Sequence, residues 1–260
     1  MTDEAAESVQ VDFTLTVGDG RVDISTMVPL RQMNLTELLP VLHSIEQAII
    51  DDSVEQVEAA GMKISCKAGC GACCRQLVPL SIFEAEALSD WIRTLPAERQ
   101  QELEQRFHRV LLGLRDAGML ERIVAREWLA DEATRDLMGA EYFRLGLACP
   151  FLEDESCSIH PIRPLSCREY LVTSPAEQCV EPIRNKITGV MLPVKLSRAL
   201  FRMGRECEAD PVGLIPLVFL MAWMKSGVRP GEAYSGLGPE LLYEVIRRLE
   251  TVSTPDPPAD

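Results

Sequence analysis

Ser65-Cys66-Lys67-Ala68-Gly69-Cys70-Gly71-Ala72-Cys73-Cys74-Arg75 packs four thiols into one short stretch, spaced C-x3-C-x2-C-C. Only small residues and one lysine separate them. Thiolates held this close repel one another, and a cation or a disulfide removes the repulsion. Gly69 and Gly71 supply the backbone freedom that lets a short loop wrap around one point. Further along stand Cys149, Cys157, Cys167 and Cys179, two of them within Cys157-Ser158-Ile159-His160-Pro161-Ile162-Arg163-Pro164-Leu165-Ser166-Cys167-Arg168. The two sets are expected to meet in space around metal. Eight thiols make four plus four a natural arithmetic, although spacing does not assign ligands to centres.

The compartment decides how thiols are read. The first ten residues are acidic and carry no apolar signal region. The longest apolar run, residues 212–224, is broken by Gly213 and Pro216 and is too short to span a bilayer, so it reads as a buried helix. A cytoplasmic location follows as the expectation. In a reducing compartment clustered cysteines ligate metal more often than they form structural disulfides, and an odd total of 9 argues against full pairing. Cys207, in a polar stretch with no cysteine neighbours, is the natural leftover, a semi-exposed or core thiol without a role. Net charge is −14, from 40 acidic and 26 basic residues, with no Lys/Arg-rich patch. Nucleic acid and anionic membrane are thereby excluded as expected partners.

Around the cysteines the chain reads as mainly α, a helical bundle with a small N-terminal β-hairpin and an irregular Cys-rich metal-binding region. Val11, Phe13, Leu15 and Val17 alternate with polar residues, Gly18-Asp19-Gly20 makes a turn, and Val22, Ile24 and Val28 resume the period. Asn34 with Glu37 forms a capping box for a helix over 34–60, with Gly61 just past its end and Pro40 a point where it starts or bends. Ser81 with Glu84 caps a second helix to about Thr94. Pro96 opens a third through Arg115, and 120–144 reads as helix in two pieces. Residues 147–182 have no sustained period, so something other than secondary structure must hold them. Residues 187–194 read as a short strand, and 196–205, 214–225 and 239–249 as helices. The expected organisation is a tail and hairpin over 1–33, a helical domain over 34–250 containing the cysteine region 66–179, and a disordered, proline-rich tail over 251–260.

Zn²⁺ and iron–sulfur clusters both take thiolates in tetrahedral sets, and short spacings let one loop give two or three ligands. Cys66, Cys70 and Cys73 suit one centre. Adjacent Cys73 and Cys74 point different ways in regular backbone, so one of them serves a second centre or completes the first only in a distorted loop. Lys67, Arg75, Arg163 and Arg168 neighbour the thiols and could offset thiolate charge. His160, placed before Pro161, reads either as a nitrogen ligand or as a hydrogen-bonded turn residue. C-x3-C-x2-C also occurs in radical S-adenosylmethionine enzymes, but those alternate strand and helix after the motif, which this chain does not. A lone catalytic thiol is disfavoured by the clustering, and no phosphate-binding glycine loop or zinc-protease His pair is present.

Three pieces in order, Cys66-x3-Cys70-x2-Cys73-Cys74, Cys149-Pro150-Phe151-Leu152 and Cys157-x-Ile159-x3-Arg163-Pro164-x2-Cys167-Arg168, resemble the YkgJ-type cysteine-cluster family, described as a zinc- or iron-chelating domain with a CxxxCxxCC signature. The resemblance spans about residues 66–179. It implies metal chelation by Cys66, Cys70, Cys73, Cys74, Cys149, Cys157, Cys167 and Cys179, the cofactor being zinc or an iron–sulfur cluster. It also implies kinship to flagellin lysine N-methylases, which use an iron–sulfur centre with S-adenosylmethionine. Three functions follow as expectations: a metal-binding protein, an iron–sulfur-dependent enzyme modifying a protein side chain, or a thiol- or metal-based redox-sensing interaction protein. The second and third bring in a protein substrate or partner.

Overall fold

Alternating apolar side chains build a long antiparallel hairpin, β1 (Ser8–Val17) with β2 (Gly20–Pro29), in which Phe13 lies opposite Ile24 and Leu15 opposite Val22. The structure, a computed structural model, describes residues 7–17, 20–182, 184–207, 210 and 212–249. Gly18 and Asp19 of the expected turn, and the expected tail over 251–260, lie outside them. Leu15, Val22, Ile24 and Val28 are buried on one hairpin face against the rest of the core. Two strands alone are marginal, and this face is what secures them.

β3 (Gln32–Asn34) leads into α1 (Leu35–Ala59) through the expected capping box, Asn34 accepting from the Glu37 amide and Glu37 from the Asn34 amide. The helix runs through Pro40 and buries Leu38, Leu42, Ile45 and Ile49 along one stripe. β4 (Pro79–Ser81) feeds α2 (Ile82–Thr94) through the second expected box, Ser81 with Glu84. Then come α3 (Ala97–Asp116), α4 (Leu120–Val124) and α5 (Glu132–Arg144), the last two separated by a 3-10 turn at Glu127–Leu129. The cysteine-rich stretch holds a minimal hairpin, β5 (Leu152–Glu153) with β6 (Ser156–Cys157), and one helical turn, α6 (Leu165–Arg168). α7 (Leu196–Glu206), β7 (Leu214–Pro216), α8 (Leu220–Ser226), β8 (Ser235–Leu237) and α9 (Gly238–Ile246) complete the chain.

Two strand pairs tie the halves together: β3 with β8, and β4 with β7, both antiparallel. The hairpin, α1, α7 and α9 share one apolar core, while α2 and α3 share another with Phe151 and Ile159. No helix among the described residues is long and apolar enough to cross a membrane. Cys207 is buried at the end of α7, its thiol donating to the Gly204 carbonyl at 3.4 Å.

Two expectations are corrected. Residues 187–194 form no continuous strand; the segment makes isolated bridges at Gly189, paired with Val172, and at Val194, and Pro193 between them has no N–H for a ladder. Residues 214–225 do not start as helix. Pro216 denies an interior helical hydrogen bond and pushes Ile215 towards extended backbone, so the segment enters as β7, passes through a 3-10 turn and becomes α8 only at Leu220.

Glu46 sits fully buried in the inward stripe of α1, with neither carboxyl oxygen in a well-formed hydrogen bond. Burial first, then the field of Glu169, pushes its pKa up to about 9. The folded state therefore keeps this proton to higher pH than the unfolded chain does, and stability contributed by the neutral acid is lost as pH rises from the ordinary carboxylate range through about 9. E46Q cannot ionise. Urea titrations should find E46Q close to wild type near pH 4, and more stable than wild type by on the order of 4 kcal/mol at pH 8. A stability difference that does not change with pH would contradict this protonation state.

Candidate metal centre

The Cys66 loop is shaped before any ligand is considered. Gly69 adopts φ +79°, in the left-handed region that favours glycine. The Cys70 amide donates to the Lys67 carbonyl and the Cys74 amide to the Gly71 carbonyl, closing two tight turns. Ala72–Arg75 form a 3-10 turn. Cys73 and Cys74 on this turn both line the two cavities of the site, and each thiol shifts the other's acidity.

Residues 147–182 are then laid against this loop. The Cys149 amide donates to the Cys74 carbonyl at 2.7 Å, and Ser65 reaches Val172 and Thr173 through its amide and hydroxyl. Phe151 anchors the stretch in the second core, its ring edge-on to both Phe107 and Trp91. Ile159, Leu165 and Val172 are buried as well. A fully buried side chain of this size contributes roughly 1.5–3 kcal/mol, so these four anchor the stretch at irregular intervals that periodicity does not reveal. Arg99 and Arg106 of α3 both engage Glu153, and Arg75 pairs with Glu155.

Polar supports underlie the second cysteine set. Glu84, already the cap of α2, also accepts the Leu165 amide at 2.7 Å, two residues before Cys167. Buried Arg168 donates to the carbonyls of Pro161 and Arg163 and so staples the turn that carries His160. Glu169 accepts from the amide and hydroxyl of Ser197. Arg168 is thus structural, Arg75 is engaged by Glu155, and Lys67 is exposed at the cavity rim.

All eight motif thiols line two adjoining cavities. The larger, 460 Å³, is walled by Cys66, Cys70, Cys73, Cys74, Cys157 and Cys179, with His160, Arg163 and Tyr170. The smaller, 100 Å³, is walled by Cys73, Cys74, Cys149, Cys157 and Cys167, again with Arg163. Electrostatics sorts them similarly. Cys179 feels Cys66, Cys70 and Cys73, whereas Cys74, Cys149, Cys157 and Cys167 act chiefly on one another and on Cys73.

Burial raises the thiols of Cys66, Cys157, Cys167 and Cys179, and pushes Cys149 up to about 12. The hydrogen bond from Cys74 lowers Cys73 and raises Cys74. A metal binding here must displace protons. Among the described residues no three or more His, Cys, Asp and Glu side chains stand close enough to hold an ion as placed. Fit therefore rests on donor chemistry. The donors are sulfurs, with one exposed imidazole, His160, and the only carboxylate in either lining, Glu155, already paired. Two buried hydrogen-bond donors also lack an acceptor here: Nε of Arg163, a residue that lines both cavities, and Oγ of Ser166, which lines the smaller one beside Cys167. Arg163 also lowers Cys66, Cys73 and Cys157 by its charge. Donors left waiting among thiols suit anionic sulfur, which metal-bound thiolates supply.

Glu84, Glu155, Ser166 and Tyr170 were not singled out as site residues by the sequence. The Ser81–Glu84 capping box was visible, but its second task at Leu165 was not, since it joins residues far apart in the chain.

Residues 65–183 match the family model CxxCxxCC, described as a putative zinc- or iron-chelating domain. No curated protein and no solved structure matches the chain.

Gly71 is closely covered by two side-chain ends. A Cβ there would stand 2.5 Å from Glu155 Oε2 and 2.8 Å from Leu152 Cδ1. Both side chains can turn aside, so G71A should destabilise by about 1 kcal/mol, the low end for overpacking, as Glu155 is moved from its pairing with Arg75. E155A added to G71A should restore part of the loss, because it removes the nearer clash. Chemical denaturation of the four proteins checks this, and strictly additive effects would contradict it.

Proposed function

We propose that residues 65–183, a cysteine-cluster domain of the zinc- or iron-chelating type, hold metal through two thiolate sets. Cys66, Cys70, Cys73 and Cys179 would serve one, and Cys74, Cys149, Cys157 and Cys167 the other. The observation that carries this reading is the pair of buried, acceptor-less donors, Arg163 Nε and Ser166 Oγ, set among eight thiols that line two adjoining cavities. When bound, the metal would supply the charge that lets closely spaced thiolates coexist, and Arg163 would offset what negative charge remains. The donor set suits zinc as well as iron, including iron held in a sulfide cluster.

Binding free energy at such a site is also folding free energy. Structural zinc contributes on the order of 10–16 kcal/mol in small peptides, comparable to the whole stability of a domain. Residues 147–182 hold four apolar anchors but little regular structure, so metal would secure the backbone between anchors. C167S and C179S, one from each set, should each lower metal content to about half of wild type, and the double variant to near zero. Residues 147–182 should then open to protease while α2 and α3 stay protected. Metal analysis of anaerobically purified protein reads the first effect and limited proteolysis the second. Full metal content in both single variants would overturn the reading; loss of all metal from either one would replace two sets with a single coupled centre. Visible sulfur-to-iron absorption distinguishes iron–sulfur from zinc.

A thiol-based redox function is the second reading, and the Cys73–Cys74 hydrogen bond favours it, because it lowers Cys73 towards the reactive thiolate. Reversible loss of titratable thiols on mild oxidation of metal-free protein, absent in C73S, supports that reading.

A further inference from the structure

A different cavity, with no cysteine in its lining, lies between the 3-10 turn before α5, α7, and the strands β4 and β7. It measures 410 Å³, within the range of small-molecule sites. Its walls are apolar: Trp128, Leu129, Phe201, Val212, Leu214 and Pro216. Its charged lining among the described residues is of one sign, Arg135, Arg198 and Arg205, with no Asp or Glu among the described lining residues. All three arginines are exposed, and none takes part in an ion pair among the described residues. Arg198 lends part of its field to Glu169 across α7. On a chain with 40 acidic and 26 basic residues, three guanidiniums sharing one apolar cavity, with no carboxylate among its described lining residues, is a local reversal of charge.

The cavity is also braced. Arg126 forms a two-pronged bridge to buried Asp210, at 2.5 and 3.2 Å, and Asp210 accepts the amides of Val212 and Gly213. The turn carrying Trp128 is thereby strapped to the strand carrying Leu214. Trp128 Nε1 is buried with no hydrogen-bond partner, leaving a donor in the apolar wall.

We infer that this cavity binds a mid-sized amphipathic anion, a carboxylate or phosphate ester on an apolar body. The body lies against Trp128 and Phe201, and the head is held by the arginines, whose planar donors match either oxyanion. The inference stands apart from the metal reading.

Isothermal titration of the full chain with decanoate, decyl phosphate and uncharged decanol tests it. At least one of the two anions should bind saturably at one site, and decanol about tenfold or more weakly than that anion. The stronger anion tells which head the site prefers. R198A/R205A should lose about the same factor for anions and little for decanol. At Gly139, in the lining, an added Cβ would meet nothing within 4 Å. G139L should therefore fill the cavity and abolish binding while removing a helix-interior glycine, so its thermal midpoint should not fall. If circular dichroism finds G139L unfolded, R198A/R205A decides alone. Equal binding of decanol and the anions, wild-type affinity in R198A/R205A or in folded G139L, or no binding of any of the three probes overturns the inference.

Discussion

The amide of Cys149 donates to the carbonyl of Cys74 at 2.7 Å, and much of the structure serves to make that contact possible. It joins the end of the first thiol loop to the start of the second cysteine set, across α2 to α5. An irregular segment cannot be brought there by its own backbone bonding, because ordering each residue costs roughly 1–2 kcal/mol of conformational entropy. The bundle offsets that cost at separate points. Phe151 enters the core between Phe107 and Trp91, and Glu84 reaches from the head of α2 to the Leu165 amide. Arg168 binds the carbonyls of its own turn.

Charge is managed by the same scaffold. The carboxylates of Glu84 and Glu169 are buried but satisfied, by Ser81 with Leu165 and by Ser197 respectively. A buried acceptor with its donors in place positions backbone at little net loss, whereas an unpaired buried group is expensive. Glu46, His43 Nε2, Arg163 Nε and Ser166 Oγ are exceptions among the described residues near this region. Glu46 meets its burial by staying protonated. A guanidinium cannot lose its charge in this way, and Arg163 stands among thiols whose negative form would complete it.

Much of this was legible in the sequence, and the reason differs by element. Both capping boxes, Asn34 with Glu37 and Ser81 with Glu84, were readable because capping is local. The helical stripe Leu38, Leu42, Ile45 and Ile49 and the alternation Val11, Phe13, Leu15 were readable because one buried face imposes a period. The pairing of β4 with β7 was not, since three-residue strands carry too little pattern and Pro216 hid the switch from extended to helical backbone. The gathering of the thiols followed from their chemistry, which makes isolated clustering costly. The division of labour around them did not, because Arg163, Ser166 and Glu155 acquire their roles only through residues far along the chain.

X-ray absorption at the zinc and iron edges of the metal-loaded full chain tests the central claim most directly. The account predicts a nearest shell made of sulfur, at about 2.3 Å for zinc, with Cys-to-Ser variants losing metal rather than exchanging sulfur for oxygen. A nearest shell dominated by nitrogen or oxygen would contradict it, and the eight thiols would then need another explanation.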